Sequence, residues 1–196
     1  MEFAPLPLEF YAKPSLQLAE QLVGKLLVKE TEEGIAGGFI VETEAYVGPE
    51  DRAAHSYNNR RTPRTEVMFG PAGYIYTYQM HTHCLVNVVA AHVGEPQAVL
   101  IRAVEPCIGI ELMRQRRGTV KGDRELTSGP GKLCKALGIT MKDYGHCVIE
   151  RPLWIGEGKK YERITAGPRI GIPNSGEARD YPWRFYVESS PYVSRR

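Results

Sequence analysis

No apolar run in this chain approaches the ~20 residues that a membrane-spanning helix needs, and the longest, such as residues 98–103, fall far short. The N-terminus lacks a basic segment followed by an apolar stretch, so no secretory signal is read there. Cysteine is scarce. The four present, Cys84, Cys107, Cys134 and Cys147, show none of the close paired spacing that marks zinc or iron–sulfur sites, and they read as reduced core thiols. No Gly-x-x-x-x-Gly-Lys occurs, which argues against ATP use. There is no repeat and no low-complexity tract. Charge of one sign is also lacking, because 25 basic and 23 acidic residues leave a net +2. Any nucleic-acid contact must therefore rest on how charge is distributed, not on its total. What remains is a chain of 196 residues, read as one soluble, cytoplasmic domain spanning residues 1–196 and long enough to bury a core.

The most informative stretch is residues 39–55, Phe-Ile-Val-Glu-Thr-Glu-Ala-Tyr-Val-Gly-Pro-Glu-Asp-Arg-Ala-Ala-His. Its first nine residues are rich in β-branched and aromatic side chains and Gly48-Pro49 closes them, which predicts a strand running into a loop. Strand alternation puts Glu42, Glu44 and Tyr46 on one face and Phe39, Val41, Thr43 and Ala45 on the other. The loop brings back His55. A carboxylate, a tyrosine and a histidine converging at a strand end can bind and hydrolyse a flat molecule, although an acidic side chain on a half-exposed strand is ordinarily just solvated.

The flanking sequence supplies scaffolding. Residues 1–13 read as an extended arm packed by Phe3, Phe10 and Tyr11. Ser15 reads as an N-cap, and Leu16, Ala19, Leu22, Val23 and Leu26 recur at helical spacing. Gly34, Gly37 and Gly38 predict a turn before the strand. Residues 56–70 form a polar loop carrying Arg60, Arg61 and Arg64, which suits phosphate contact as well as it suits a plain surface loop.

Residues 73–91 predict a β-hairpin with Tyr74, Tyr76 and Tyr78 on one face and a tip near His81-Thr82. Such a stripe serves as core or as a stacking surface for a base. His81 and His83 share a strand face, which is half a metal site with no third ligand at suitable spacing. Residues 98–104 predict a strand with Leu100, Arg102 and Val104 on one face, and an arginine there needs an anionic partner if buried. Pro106 predicts the opening of a helix that carries Ile108, Leu112 and Met113 and ends at Gly118. Arg114, Arg116, Arg117, Lys121 and Arg124 form a second basic cluster. Ser128 to Gly131 present backbone amides before a short helix, with Lys132 adding charge, an arrangement suited to an anion. Further strands are read at 147–154, 163–172 and 182–187, with a loop at 174–180.

Residues 41–56 resemble the signature segment of the alkyladenine (3-methyladenine) DNA glycosylase family. So do Gly73-Tyr-Ile-Tyr-Thr-Tyr78, the block from Leu100 to Pro106, and residues 123–139, in the family's order; the resemblance runs from about residue 8 to 194. It implies an α+β fold with a curved, mostly antiparallel β-sheet flanked by helices and a protruding hairpin that inserts into DNA. It also implies a monofunctional glycosylase that flips alkylated or deaminated purines of the 3-methyladenine, 7-methylguanine, hypoxanthine and ethenoadenine type out of double-stranded DNA. Hydrolysis of the N-glycosidic bond then leaves an abasic site for base excision repair.

In that reading Glu44 is the general base for water and Arg102 lies beside water and phosphate. Tyr46, His55 and Tyr78 wall the base pocket over Asn87, and the His55 main-chain amide reads the purine edge. The chain is one residue shorter than the family pattern between Tyr78 and Asn87 and has no tyrosine at the tip, so Met80 or His81 takes the wedge position. Arg60, Arg64, Ser128 and Lys132 are the expected DNA-backbone contacts. The expected protein is a monomer with no metal and no cofactor, working at the nucleoid. Two competitors remain: a non-catalytic module that binds damaged or structured nucleic acid with the same aromatics and arginines, and a metal-dependent nuclease or hydrolase built on Glu42, Glu44, His81 and His83.

Overall fold

The computed structural model describes residues 4–195, so the predicted packing of Phe3 lies outside the described residues. A short 3₁₀ turn, Leu8–Phe10, carries Tyr11 into full burial, and helix α1 (Ser15–Leu22) follows. The helix starts at Ser15 with Pro14 before it, and it turns Leu18, Ala19 and Leu22 inward. Leu26 is not helical. It opens a strand that the sequence reading missed, β1 (Leu26–Thr31), which pairs antiparallel with β2 (Gly34–Tyr46).

The predicted turn at Gly34, Gly37 and Gly38 is thus already strand. Gly37 and Gly38 are glycine because their neighbours come too close for a side chain: a Cβ on Gly38 would stand 2.6 Å from the Glu105 carbonyl oxygen. β3 (Ile75–Met80) and β4 (His83–Ala90) form the expected hairpin, with His81 in the left-handed region at φ 53° in the two-residue tip.

β5 (Gln97–Ile108) is longer than predicted, because Pro106, Cys107 and Ile108 continue the strand instead of opening a helix. Helix α2 (Ile110–Arg117) begins only after Gly109 and ends, as expected, at Gly118. Short α3 (Arg124–Thr127) leads into α4 (Pro130–Leu137). The C-terminal third has less strand than predicted: β6 (Leu153–Gly156), β7 (Thr165–Gly167) and β8 (Arg184–Tyr186), with a 3₁₀ turn at Gly176–Arg179 in the predicted loop.

The sheet runs β3-β4-β5-β2-β1-β6, every strand pairing among the described residues is antiparallel, and β8 is paired to β2 and β7. The α+β expectation holds. α1 and α4 cover one face, where Leu18, Leu22, Ile40, Val99, Ile101, Leu133 and Leu137 form the main core. A smaller apolar group on the other side, Met68, Tyr76, Tyr78, Leu85 and Leu100, lies where the functional site forms.

Alternation along β2 and β5 breaks at two places, between Gly37 and Gly38 and again nearer the site. Ile40 pairs with Val104 and Glu42 with Ala103, which leaves Val41 as the extra residue of β2. Glu42 then pairs with Ala103 and Thr43 with Ile101, which leaves Arg102 as the extra residue of β5. A bulge changes the phase of the strand and re-aims the side chains beside it. So Ile40 and Ala45 share the main core, whereas Phe39 packs with Leu26 and Trp154, and Val41 with Val23 and Val187. The predicted grouping of Phe39, Val41, Thr43 and Ala45 is corrected by that phase change, and so is the grouping of Val104 with Leu100 and Arg102, since Val104 belongs to the main core.

Candidate active site

The double bulge determines where Arg102 points. Its Nε lies 3.3 Å from Glu42 Oε1 and its Nη1 3.3 Å from Glu44 Oε1, so one guanidinium spans two carboxylates two residues apart on β2. Both carboxylates are fully buried. Glu42 is further satisfied by Arg184 Nη1 at 3.0 Å, by the Ser194 amide at 2.7 Å and by the Ser194 hydroxyl at 3.0 Å. The carboxyl-terminal segment therefore closes the site from behind. The anionic partner that the sequence demanded for Arg102 is a pair of the chain's own carboxylates.

Glu44 accepts from the Ile170 amide at 2.6 Å and from the Tyr46 hydroxyl at 2.9 Å. Burial raises its pKa above the ordinary carboxylate value and the like charge of Glu42 adds to the rise. Arg102, the Ile170 amide and the Tyr46 hydroxyl oppose it. Tyr46, buried beside that carboxylate, has its phenol held well above its usual range and remains a neutral donor.

These partners stand at the wall of a cavity of about 280 Å³, lined by Tyr46, His55, Tyr76, Tyr78, Asn87, Arg102 and the segment 170–172, with Met80 and Pro130 at its sides. Such a volume is at the small end of ligand pockets, about 300–1,000 Å³, and suits one heterocycle. Glu44 itself is not among the lining residues; the three groups bonded to it, Tyr46, Arg102 and Ile170, all are.

The walls are aromatic. His55 meets Tyr78 edge-on at 4.7 Å between ring centres, and Tyr76 stacks on Tyr78 at 5.6 Å. His55 Nδ1 is 2.7 Å from the Tyr76 hydroxyl. Burial, with the positive charges of Arg64 and Arg60, lowers the His55 pKa to about 4, so its imidazole is neutral at physiological pH. Asn87 donates to the Tyr76 carbonyl at 3.0 Å, which fixes its amide on the cavity floor.

Three groups that the sequence reading did not select hold this frame. Arg169 is fully buried, with Nη1 2.6 Å and Nη2 2.8 Å from the two oxygens of Asp51, and further bonds to the Ala45 and Ala178 carbonyls. Its guanidinium lies between the rings of Tyr46 and Trp183, at 4.8 and 4.9 Å. Asp51 in turn accepts from the Val47 and Ala53 amides and so shapes the loop that ends in His55. Tyr76 is the third. It belonged to the predicted tyrosine stripe, but only its bond to His55 shows that it is part of the pocket wall.

The remaining expected residues scatter. Met80 is 44% exposed and lines the cavity; His81 sits exposed at the hairpin tip. Arg60 and Arg64 are exposed and make no ion pair among the described residues, whereas Arg61 is taken by Glu66 and lies over the Phe69 ring. Ser128 bridges Ala103, next to Arg102, and Lys132 is half-buried in the first turn of α4. One of the amides expected there is already spent, since Gly129 donates to the Thr127 carbonyl.

Two members of the second basic cluster are engaged by the chain's own acids. Arg114 pairs with Glu111 and Asp123, and Arg116 with Glu33 and the end of α4. His81 and His83 recruit no third ligand, and among the described residues no three His, Cys, Asp or Glu side chains group to hold an ion. The expectation of four core thiols fails at Cys107, which is exposed. No helix among the described residues is long and apolar enough to cross a membrane.

A family model described as methylpurine-DNA glycosylase matches residues 9–191. A protein of Bacillus velezensis is 65% identical over 194 residues, covering 99% of this chain and 98% of its own length. One of Bacillus subtilis is 64% identical over 191 residues, 97% of each chain. One of Oceanobacillus iheyensis is 55% identical over 193 residues, 98% of this chain and 97% of its own. All three carry the provisional name 3-methyladenine DNA glycosylase.

Proposed function

The chain belongs to the methylpurine-DNA glycosylase family, hydrolases of N-glycosyl bonds in DNA, and from that premise we propose that it excises alkylated purines, 3-methyladenine and 7-methylguanine among them, and neutral lesions such as hypoxanthine and ethenoadenine. The observation that carries this reading is the meeting of a buried carboxylate, an arginine and a neutral phenol at the wall of an aromatic slot sized for one purine.

A base in a duplex is out of reach, so the nucleotide must leave the stack, and the slot between Tyr46, His55, Tyr76 and Tyr78 supplies the stacking it gives up. Cleavage of the base–sugar bond builds positive charge on the deoxyribose, and water attacks from the opposite face. Glu44 takes the proton of that water and its charge stabilises the developing cation. Ile170, Tyr46 and Arg102 engage three of its about four lone-pair sites, which leaves one on Oε2 for the water. A cationic 3- or 7-methylpurine leaves readily, whereas neutral lesions need a proton. The neutral imidazole of His55 keeps a like charge away from a cationic base. The product is an abasic site with the strand intact. The enzyme works as a monomer on double-stranded DNA, within the cell at the nucleoid.

Met80, exposed at the rim, is the group that takes the place of the flipped nucleotide, and Arg60, Arg64, Ser128 and Lys132 meet the backbone. An unbranched thioether fills an irregular gap in the stack. Met80→Ala is expected to weaken lesion capture by about 5–30-fold, the equivalent of 1–2 kcal/mol, with Met80→Leu close to wild type. Titrating lesion-bearing duplex against the variants tests it, and equal affinity of all three contradicts a wedge at this position.

The pH profile follows from the raised pKa of Glu44. Activity is lost as pH falls through that value, so the acid limb of kcat/KM lies above an ordinary carboxylate's. Arg102 is the strongest group holding the value down. Arg102→Met therefore moves the limb to higher pH, in addition to lowering the rate. A limb that stays put or moves down assigns it to another group.

The reaction itself is tested with a panel of duplexes, each bearing one defined lesion, scored for released purine and for strand cleavage without alkali. Free base with an intact strand is expected. A cut strand without base release supports the nuclease reading, and binding without release supports the module.

A further inference from the structure

On the far side of the hairpin from the base slot, β4 and α4 enclose a second cavity of about 780 Å³. Three sulfur atoms face into it. Cys84, half-buried at the start of β4, and Cys134, buried on α4, both line it. Met141, 44% exposed, brings its Sδ to 4.0 Å from Cys84 Sγ. All three line the one cavity. The mechanism proposed above uses none of them.

The surroundings restrict what fits. The single carboxylate at the cavity, Glu33, is held by Arg116 at 2.8 Å, and Lys135 and Lys142 add positive charge at the rim. The Glu33 carboxylate is already paired, and the charge of Lys135 and Lys142 disfavours a hydrated divalent cation. Two thiolates and a thioether are the donor set that selects a soft ion, and a monovalent one leaves a complex of net charge −1 that the rim favours.

We propose that Cys84, Cys134 and Met141 bind one soft monovalent cation, Cu(I) in chemical class. The ion forms two metal–thiolate bonds and displaces the two thiol protons to solvent, with no change of oxidation state; the Met141 thioether completes a three-sulfur set. Cys84 follows His83 just after the hairpin tip, and a Cβ on Gly131 of α4 would stand 2.8 Å from the His83 ring, so the two elements already touch there. Pro130, one residue earlier, lines the base slot. An ion shared by Cys84 and Cys134 ties the hairpin to the helix that borders both cavities and restrains the wedge.

The test is an anaerobic titration of the folded protein with Cu(I) against a competing chelator, with Ag(I) as the redox-inert substitute, in a Cys107→Ser/Cys147→Ser background that removes the other thiols. One ion per chain and release of two protons per ion at a pH below the thiol range are expected, with slower amide exchange at residues 79–84. Cys84→Ser is expected to abolish this uptake, and so is Cys134→Ala. Met141→Leu, which conserves volume, should keep the stoichiometry and weaken affinity, since two thiolates remain as ligands. No stoichiometric uptake overturns the proposal, and so does uptake that survives loss of either cysteine. None of these readouts depends on glycosylase activity.

Discussion

Arg169→Met is expected to lose about 3–5 kcal/mol of stability, the cost of leaving one member of a buried ion pair without the other. Asp51 and Arg169 are both fully buried and joined by two short bonds. With the guanidinium gone, the Asp51 carboxylate keeps only the Val47 and Ala53 amides, and two carbonyls, of Ala45 and Ala178, lose a donor. Tyr46 and Trp183 also lose the cation between their rings. Lysine does not repair this, because one ammonium cannot serve two carboxylate oxygens and two carbonyls from one plane. For a chain of this size the loss corresponds to roughly 6–20 °C in Tm. Urea unfolding of the single variants and of Asp51→Ala/Arg169→Met measures it. The double variant should cost clearly less than the sum of the singles. Simple additivity, or a single-variant loss under about 1 kcal/mol, means that the pair is not the frame of the site.

What the sequence revealed of this architecture depended on how local the signal was. The hairpin was legible because alternating aromatics flank a two-residue tip, a pattern complete within residues 73–91. The carboxylate–tyrosine contact was legible because Glu44 and Tyr46 are two apart on a strand. β1 was lost because Leu22, Val23 and Leu26 continue a helical spacing past the point where Gly24 turns the chain, and a short apolar run does not distinguish helix from strand. Pro106 was read as a helix start because proline is common there, yet its missing N–H is equally tolerated at a strand irregularity, and Gly38↔Pro106 lies beside a register shift.

The double bulge at Val41 and Arg102 had no visible signal, since it arises only when two strands some sixty residues apart are laid side by side. The same holds for Asp51 with Arg169 and for Glu42 with Arg184 and Ser194, whose partners are more than a hundred residues apart along the chain. A buried arginine and a buried aspartate each look like surface residues until the fold joins them. The second basic cluster shows the converse: Arg114 and Arg116 read as part of a run of basic residues and turned out to be occupied by the chain's own acids.

The account's central claim is that the Glu44 carboxylate drives water onto the sugar of an extruded purine nucleotide. Glu44→Gln keeps the volume and an oxygen for the Ile170 amide, and removes the charge and the basicity. General-base catalysis is worth about 10²–10⁴-fold, and kcat should fall by that much while KM changes little, because the aromatic walls that bind the base are untouched. Single-turnover release of purine from a duplex with one 7-methylguanine, with enzyme in excess, reads this step free of product dissociation. The account predicts that Glu44→Gln binds the duplex as wild type does and releases purine 10²–10⁴-fold more slowly. Release at the wild-type rate by a folded, DNA-binding Glu44→Gln protein would contradict it.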